Sequence, residues 1–221
     1  MVNLAHDYWK LIELRDSAPD MPILNVVDDA DMWHLNPTTR LILDAIGNSA
    51  AILDVGAGDK RLEKALRSAG WNGTYESIDI ECSVKHDYRS FQEVSKKYGA
   101  VFMLELIEHM PLSEGLEYFE LAQRCLEDPG VLIVSTPNIN SINRLWRTDV
   151  THIQQYPPRD LYAILRMTGF HGTIQGYRII LSPRKNTRRV KYAVKSMLKR
   201  SLCRILEVDY TDGIFFIARN R

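Results

Sequence analysis

Apolar residues in this chain come in short runs separated by helical spacings, and that alternation bounds the fold before any motif is considered. Leu4, Tyr8, Leu11 and Ile12 share one helical face, so residues 4–15 are predicted to form an amphipathic helix. From Ser17 to Leu35 there are prolines and acids but no clean period, which reads as a long connecting segment. Asn36-Pro37 then supplies an N-cap and a first-turn proline, and Gly47 a stop, for a short helix carrying Leu41, Leu43 and Ile46. Ala50–Val55 is an apolar run ending in a glycine loop, the pattern of a buried parallel strand. Strand and helix signals then alternate. They give a helix at Arg61–Ala69 closed by Gly70, a second strand at Tyr75–Ile80 and a third at Val84–Asp87. A fourth strand at Ala100–Leu104, a helix at Ser113–Leu126 and a fifth strand at Val131–Ser135 follow. A helix at Pro158–Met167 stops at Gly169, and strands at Thr173–Leu181 and Ile214–Ala218 flank a basic helix at about 188–206.

Such alternation predicts an α/β doubly wound fold: a seven-stranded, mostly parallel sheet covered on both faces, in a single domain. A chain of 221 residues leaves little room for a second core. Residues 1–49 are expected to form N-terminal helices or a lid, and residues 50–221 the main domain. Lys and Arg total 28 against 28 Asp and Glu, so no whole-molecule field attracts DNA or a membrane. Cys82, Cys125 and Cys203 are scattered, with no CxxC pair, and read as reduced thiols rather than a disulfide framework or zinc site. The chain has no apolar leader core and no run of ~18 apolar residues, so the expected location is the cytoplasm.

In a doubly wound sheet, ligands bind beyond the carboxyl ends of the strands. Gly56 and Gly58 follow the first predicted strand and open a helix, where glycine permits a tight turn and close backbone approach. Asp54 ends that strand, Asp79 ends the second 25 residues later, and Asp87 ends the third. An acid in the position of Asp79 can accept both hydroxyls of a ribose. The runs ILDVGAGDKRL, SIDIE, HDY, FMLELIEHM and GVLIVSTPN resemble the successive motifs of class I S-adenosylmethionine (SAM)-dependent methyltransferases over about residues 50–138. The resemblance implies a Rossmann-like fold with a reversed last strand and SAM as cofactor. It places the amino-acid end of SAM on the Asp54–Gly58 loop and the ribose on Asp79 with Ile80 beside it. Asp87 with Tyr88 would meet the adenine edge, and Leu104 and Glu105 would line the methionine pocket. The GxGxxG of NAD-binding folds is absent, because Arg61 stands three past Gly58. Lys60 occupies a position where the family often has a third glycine, and the second-to-third crossover is short.

A hydroxyl acceptor needs its proton removed as the methyl group arrives, by a base or with a metal's help. Glu105, Glu108 and His109 follow the fourth strand, and His152 lies in the loop after the fifth. These residues resemble two groups within the class. One is the bacterial small-molecule and sugar methyltransferases, which implies His109, His152 and Glu108 as metal-free catalytic residues. The other is the small-RNA 3′-terminal 2′-O-methyltransferases, in which the same Glu105, Glu108, His109 and His152 would bind a divalent metal. The metal-free reading is preferred because the motif is widespread there and no RNA-binding module is visible. Both stand beside simpler roles: His109 capping the following helix, and His152 hydrogen-bonded to Asp149. A SAM-binding module that has lost catalysis is the alternative outside enzymes.

Asn138, Asn140, Asn143, Arg144 and Trp146 follow the fifth strand and resemble a carbohydrate-facing surface, although asparagines also serve turns. Trp33 and His34 read equally as part of a lid and as an anchor on the core. Residues 184–204 carry nine Lys or Arg and no acid beside an apolar stripe. Such a helix suits packing on the sheet, peripheral contact with an anionic membrane, attraction of a phosphorylated acceptor, or binding of an RNA backbone. The expected partner is a small-molecule or glycan acceptor.

Overall fold

The computed structural model describes residues 2, 6–27, 36–47, 51–80, 83–142, 149–182, 198, 201, 203, 205, 206 and 208–221. Its seven strands are β1 (Ile23–Val27), β2 (Ala51–Val55), β3 (Thr74–Ile78), β4 (Tyr98–Leu104), β5 (Leu126–Pro137), β6 (Ile174–Ser182) and β7 (Gly213–Arg219). They form one sheet in the order β1-β6-β7-β5-β4-β2-β3. β7 runs antiparallel to β5 and β6, and all other pairs are parallel. The doubly wound sheet with a reversed last strand is therefore the observed architecture. The helices are α1 (Tyr8–Asp16), α2 (Pro37–Ile46), α3 (Arg61–Ser68), α4 (Leu112–Cys125) and α5 (Pro158–Met167).

The central strands read as continuous apolar runs because both of their faces are covered. On one face, Leu116 and Phe119 of α4 and Leu161 and Leu165 of α5 pack against Leu53, Val55, Val101, Met103, Leu132 and Val134. On the other, Ile42 and Ile46 of α2 and Leu62 and Leu66 of α3 pack against Ile52, Ala100, Phe102 and Ile133. Alternate residues of β2, β4 and β5 thus belong to opposite cores, and a one-residue slip would exchange them. α1 lies outside α5, where Arg15 Nε is 3.9 Å from an Asp160 carboxylate oxygen.

Two expectations need correction. Val84–Asp87 is not a strand. The chain after β3 touches the sheet edge through a single parallel bridge, Tyr88 to Ile78. The polar side chains there replace the missing ladder: Asp87 Oδ2 accepts the Ser77 N–H and the Ser77 hydroxyl, both at 3.0 Å. The seventh strand is instead β1, inside the segment read as a long connection, so residues 23–27 join the same sheet as the rest of the chain. β1 pairs with β6, Leu24 opposite Ile179 and Val26 opposite Leu181. Arg178 locks its entrance, donating its backbone N–H to Pro22 O at 2.9 Å and Nε–H to Met21 O at 3.1 Å. Five residues without alternation carry little local signal, and a partner some 150 positions away supplies the stability.

Most of the predicted basic helix at 188–206, together with Trp33, His34, Asn143, Arg144 and Trp146, lies outside the described residues. Among the described residues, no helix is long and apolar enough to cross a membrane. The assignment of β1 is tested by hydrogen exchange. Amides of residues 24–26 are expected to be protected alongside those of β6, whereas free exchange of 24–26 beside a protected β6 would contradict the pairing.

Candidate active site

Parallel pairing brings the carboxyl ends of β2, β3, β4 and β5 to one edge of the sheet. At the end of β2 the chain turns through Gly56 (φ 74°) and Gly58 (φ 49°), both in the left-handed region. Gly56 N–H and Ala57 N–H donate to Ile78 O at 2.9 and 3.2 Å, which fastens the loop to β3. A Cβ on Gly56 would lie 2.7 Å from Leu106 Cδ1, so a side chain there would collide with the turn after β4. Lys60, standing where a third glycine is common, itself adopts φ 57°. Across the loop, Asp79 Oδ2 accepts the Gly58 N–H at 2.7 Å, and Ile80 next to it is 86% exposed. The acid after β3 and the glycine loop are thus neighbours, as the spacing implied.

Asp54 is placed differently from a cleft-lining acid. It is buried beneath the loop, and its carboxyl accepts the Tyr75 hydroxyl. Burial pushes its pKa up to about 7; the Tyr75 bond opposes this, the charge of Asp79 adds to it, and Lys60 opposes it. Asp87 is exposed but engaged with Ser77. The Tyr88 hydroxyl donates to Glu76 at 3.0 Å, within a cluster that also holds Lys96 and Tyr98. Both residues expected at the adenine edge therefore also tie the shortened crossover to the sheet.

Beyond β4, Leu104 is half-buried and Glu105 adopts φ 51°, an uncommon conformation for a side chain of its size. β5 holds it there. Glu105 N–H donates to Ser135 O at 3.0 Å, and the Ser135 hydroxyl donates to Glu105 Oε1 at 2.6 Å. Glu105 keeps solvent contact in the open cleft although protein atoms surround it. That crowding raises its pKa, against the opposing effects of the Ser135 bond and nearby His152.

One helical turn, Ile107–His109, follows and carries the rest of the cluster. Glu108 is 1% exposed, and among the described residues its Oε2 has no hydrogen-bond partner; neither does the buried hydroxyl of Tyr156. Desolvation first, and the charge of Glu105 second, push the Glu108 carboxyl above the ordinary range. Its backbone carbonyl accepts the N–H groups of Ile153 and Gln154 at 2.9 and 3.1 Å, pulling the loop after β5 against the turn. The His109 and His152 rings then meet edge to face with centroids 4.9 Å apart. Ligand atoms of Glu108, His109 and His152 all lie within 4.8 Å of one another. Glu105 stands outside this trio, paired with Ser135. His109 does not cap the following helix, whose N-cap is Pro111, whereas the contact of His152 with Asp149 is present at 3.8 Å. Tyr75, Ser135, Thr136 and Tyr156 had no assigned role in the sequence. Ser135 and Thr136 fall in the quoted STPN run, but their contacts depend on the β4–β5 register.

A family defined by a methyltransferase domain matches residues 35–173, a span containing the glycine loop, Asp79, Glu105 and the histidine pair. The chain belongs to this methyltransferase family. No curated protein matches it in sequence. Among solved structures it is similar to a SAM-dependent methyltransferase from Archaeoglobus fulgidus, with a TM-score of 0.64 and 17% identity over 96% of this chain and 100% of that one. It is similar to the methyltransferase domain of bacterial CtHen1, with a TM-score of 0.56 and 14% identity over 86% and 100%. It is also similar to the plantazolicin methyltransferase BamL, solved with S-adenosylhomocysteine, with a TM-score of 0.55 and 12% identity over 99% and 93%. At these identities the structural likenesses speak for the fold.

The buried Asp54 has a consequence for stability. The folded protein binds the Asp54 proton more tightly than the unfolded chain does, between the ordinary value of 3.8 and about 7. Stability of the cofactor-free protein is therefore lost as pH rises through that window, by at most about 4 kcal/mol. Asp54→Asn removes the ionisable group and keeps an acceptor for Tyr75. Its melting temperature should match the parent near pH 4 and exceed it increasingly toward pH 8. A difference that does not change with pH would contradict burial as the cause.

Proposed function

We propose that this methyltransferase transfers the methyl group of SAM to a hydroxyl of a sugar or other small metabolite, with His109 or His152 as the base. The observation that carries this reading is the meeting of the two imidazoles at the same strand ends as the glycine loop, beside Glu105. In the transfer, the acceptor oxygen forms a bond to the methyl carbon as the carbon–sulfur bond breaks. The electron pair returns to sulfur, which gives S-adenosylhomocysteine, and the hydroxyl proton passes to a histidine. The backbone of residues 56–58 would take the amino-acid end of SAM. Asp79 would exchange its bond to Gly58 for the ribose hydroxyls, with Ile80 alongside, and Leu104 and Glu105 would border the methionine group. Asp87 and Tyr88 would border the adenine from the sheet edge. Glu108, kept protonated by its burial, would support the histidines from below.

A second reading is favoured by the trio Glu108, His109 and His152, whose donor atoms are close enough to share one divalent cation, with Glu108 Oε2 buried and unpartnered. In that reading the acceptor is the 3′ end of an RNA, whose vicinal hydroxyls a cation can clamp. The engagement of Glu105 with Ser135 supports the metal-free reading, because the fourth expected ligand is turned to another partner.

Two sets of measurements test these assignments. Asp79→Ala should weaken SAM binding by about 1.5–3 kcal/mol in calorimetry, through loss of charge-assisted bonds to two hydroxyls. Unchanged affinity in the folded variant would remove the ribose role. Replacing the responsible histidine by alanine should cut turnover about 10²–10⁴-fold and leave SAM affinity intact. Turnover of the parent should survive EDTA. Loss of turnover with EDTA and its recovery with Mn²⁺ or Mg²⁺ would overturn the metal-free mechanism and establish the second reading.

A further inference from the structure

We infer that the segment 184–206 docks this protein on an anionic membrane surface, through an exposed apolar stripe bordered by cations. Docking of this kind does not depend on which acceptor is methylated.

At about 3.6 residues per turn, Val190, Val194, Leu198, Leu202 and Ile205 of the helix predicted at 188–206 fall on one stripe. Packed on the sheet, such a stripe is buried; waiting for a partner, it is left in water. Leu198 and Ile205, seven residues apart near its centre, are 64% and 77% exposed. Their backbones are helical, as are those of Ser201 and Cys203. Cys203 falls on the opposite side of such a helix and is turned inward, 3% exposed. Leu206, in the turn that follows, is 60% exposed. Where it is described, the segment therefore shows its apolar side to solvent and not to the sheet.

Charge says what covers that side. The nine Lys and Arg of residues 184–204 lie outside the described residues, and in the predicted helix Arg188, Lys191, Lys195 and Lys199 border the stripe. The rest of the chain carries nine more acids than Lys and Arg. An anionic surface attracts this segment and repels the remainder, which selects one orientation. Long cationic stems can reach lipid phosphates while Leu and Ile enter the acyl boundary. An RNA backbone would use the cations but leave the apolar side chains in water. A second copy would bring two sets of nine like charges together.

The end of the segment is fixed at the edge of the sheet where the candidate site opens. Val208 N–H donates to Cys203 O at 2.9 Å. Asp209 O accepts the Ile142 N–H at 2.9 Å, and Asp209 Oδ2 accepts from Asn138 Nδ2 at 2.9 Å. Gly213, where β7 begins, pairs with Pro137 at the end of β5. The docking surface is thereby tied to the loop that follows β5.

The test is sedimentation of the full chain with lipid vesicles. Phosphatidylcholine vesicles containing phosphatidylglycerol should retain the protein at low salt, and vesicles of phosphatidylcholine alone should not. Retention should fall about tenfold or more between about 0.1 and 1 M salt, as the Debye length shrinks. Leu198→Ser with Ile205→Ser keeps every charge and should weaken retention about tenfold. Its melting temperature should match the parent, because both side chains are exposed. Lys195→Glu with Lys199→Glu keeps the stripe and should weaken retention about a hundredfold. Equal retention by neutral and anionic vesicles, or none by either, would overturn the inference. So would a paired serine variant that binds anionic vesicles like the parent, leaving the stripe idle, or that melts below it, showing the stripe packed on the body. Binding of single-stranded RNA without vesicle retention, or a dimer that the serine pair dissociates in size-exclusion chromatography, would assign the surface to RNA or to a second copy instead.

Discussion

The candidate site depends on one constraint: the register in which β2, β4 and β5 lie side by side. Val55 is level with Met103, and Leu104 with Ser135, so β2 and β4 release their chains beside Ser135 of β5, which itself runs on to Pro137. What emerges is the glycine loop from β2 and Glu105 from β4, with Ser135 and Thr136 of β5 alongside. Their contacts follow from that alignment. Ser135 can hold Glu105 in a left-handed conformation only because it sits one position behind it on the neighbouring strand. The register is set by burial, since alternate residues of these strands fill two separate cores and a one-residue slip would invert both.

The site that results is rich in carboxyl groups, and burial sorts them. Asp79 is half-buried and Glu105 exposed at the mouth of the cleft. Asp54 and Glu108 are drawn beneath it, where desolvation favours the protonated form of the acid. The charge of Asp79 adds to the effect of burial on Asp54, and the charge of Glu105 to its effect on Glu108. Burial thus raises the proton affinity of the two acids beneath the cleft, Asp54 and Glu108.

The sequence made the frame of this arrangement legible because its signals are local. Asn36-Pro37 and Gly47 bracket α2, Pro158 opens α5, and Gly56 and Gly58 take the left-handed turns that glycine signals. The convergence of His109 with His152 and the contact of His152 with Asp149 were also foreseeable from their places after β4 and β5. What escaped depends on distant partners. β1 is a strand because β6 is beside it, and Val84–Asp87 is not one because Asp87 and Tyr88 satisfy Ser77 and Asp79 without a longer ladder. Tyr75 under Asp54 and Tyr156 near Glu108 belong to the same class, since nothing near either tyrosine in the sequence announces the acid it meets.

The most direct measurement is a crystal structure of the protein with S-adenosylhomocysteine. The ribose hydroxyls should bond to Asp79, the amino-acid end should lie on the backbone of residues 56–58, and the sulfur should face His109 and His152. A cofactor bound with its ribose away from Asp79, or with its sulfur turned from the two histidines, would contradict the proposed site.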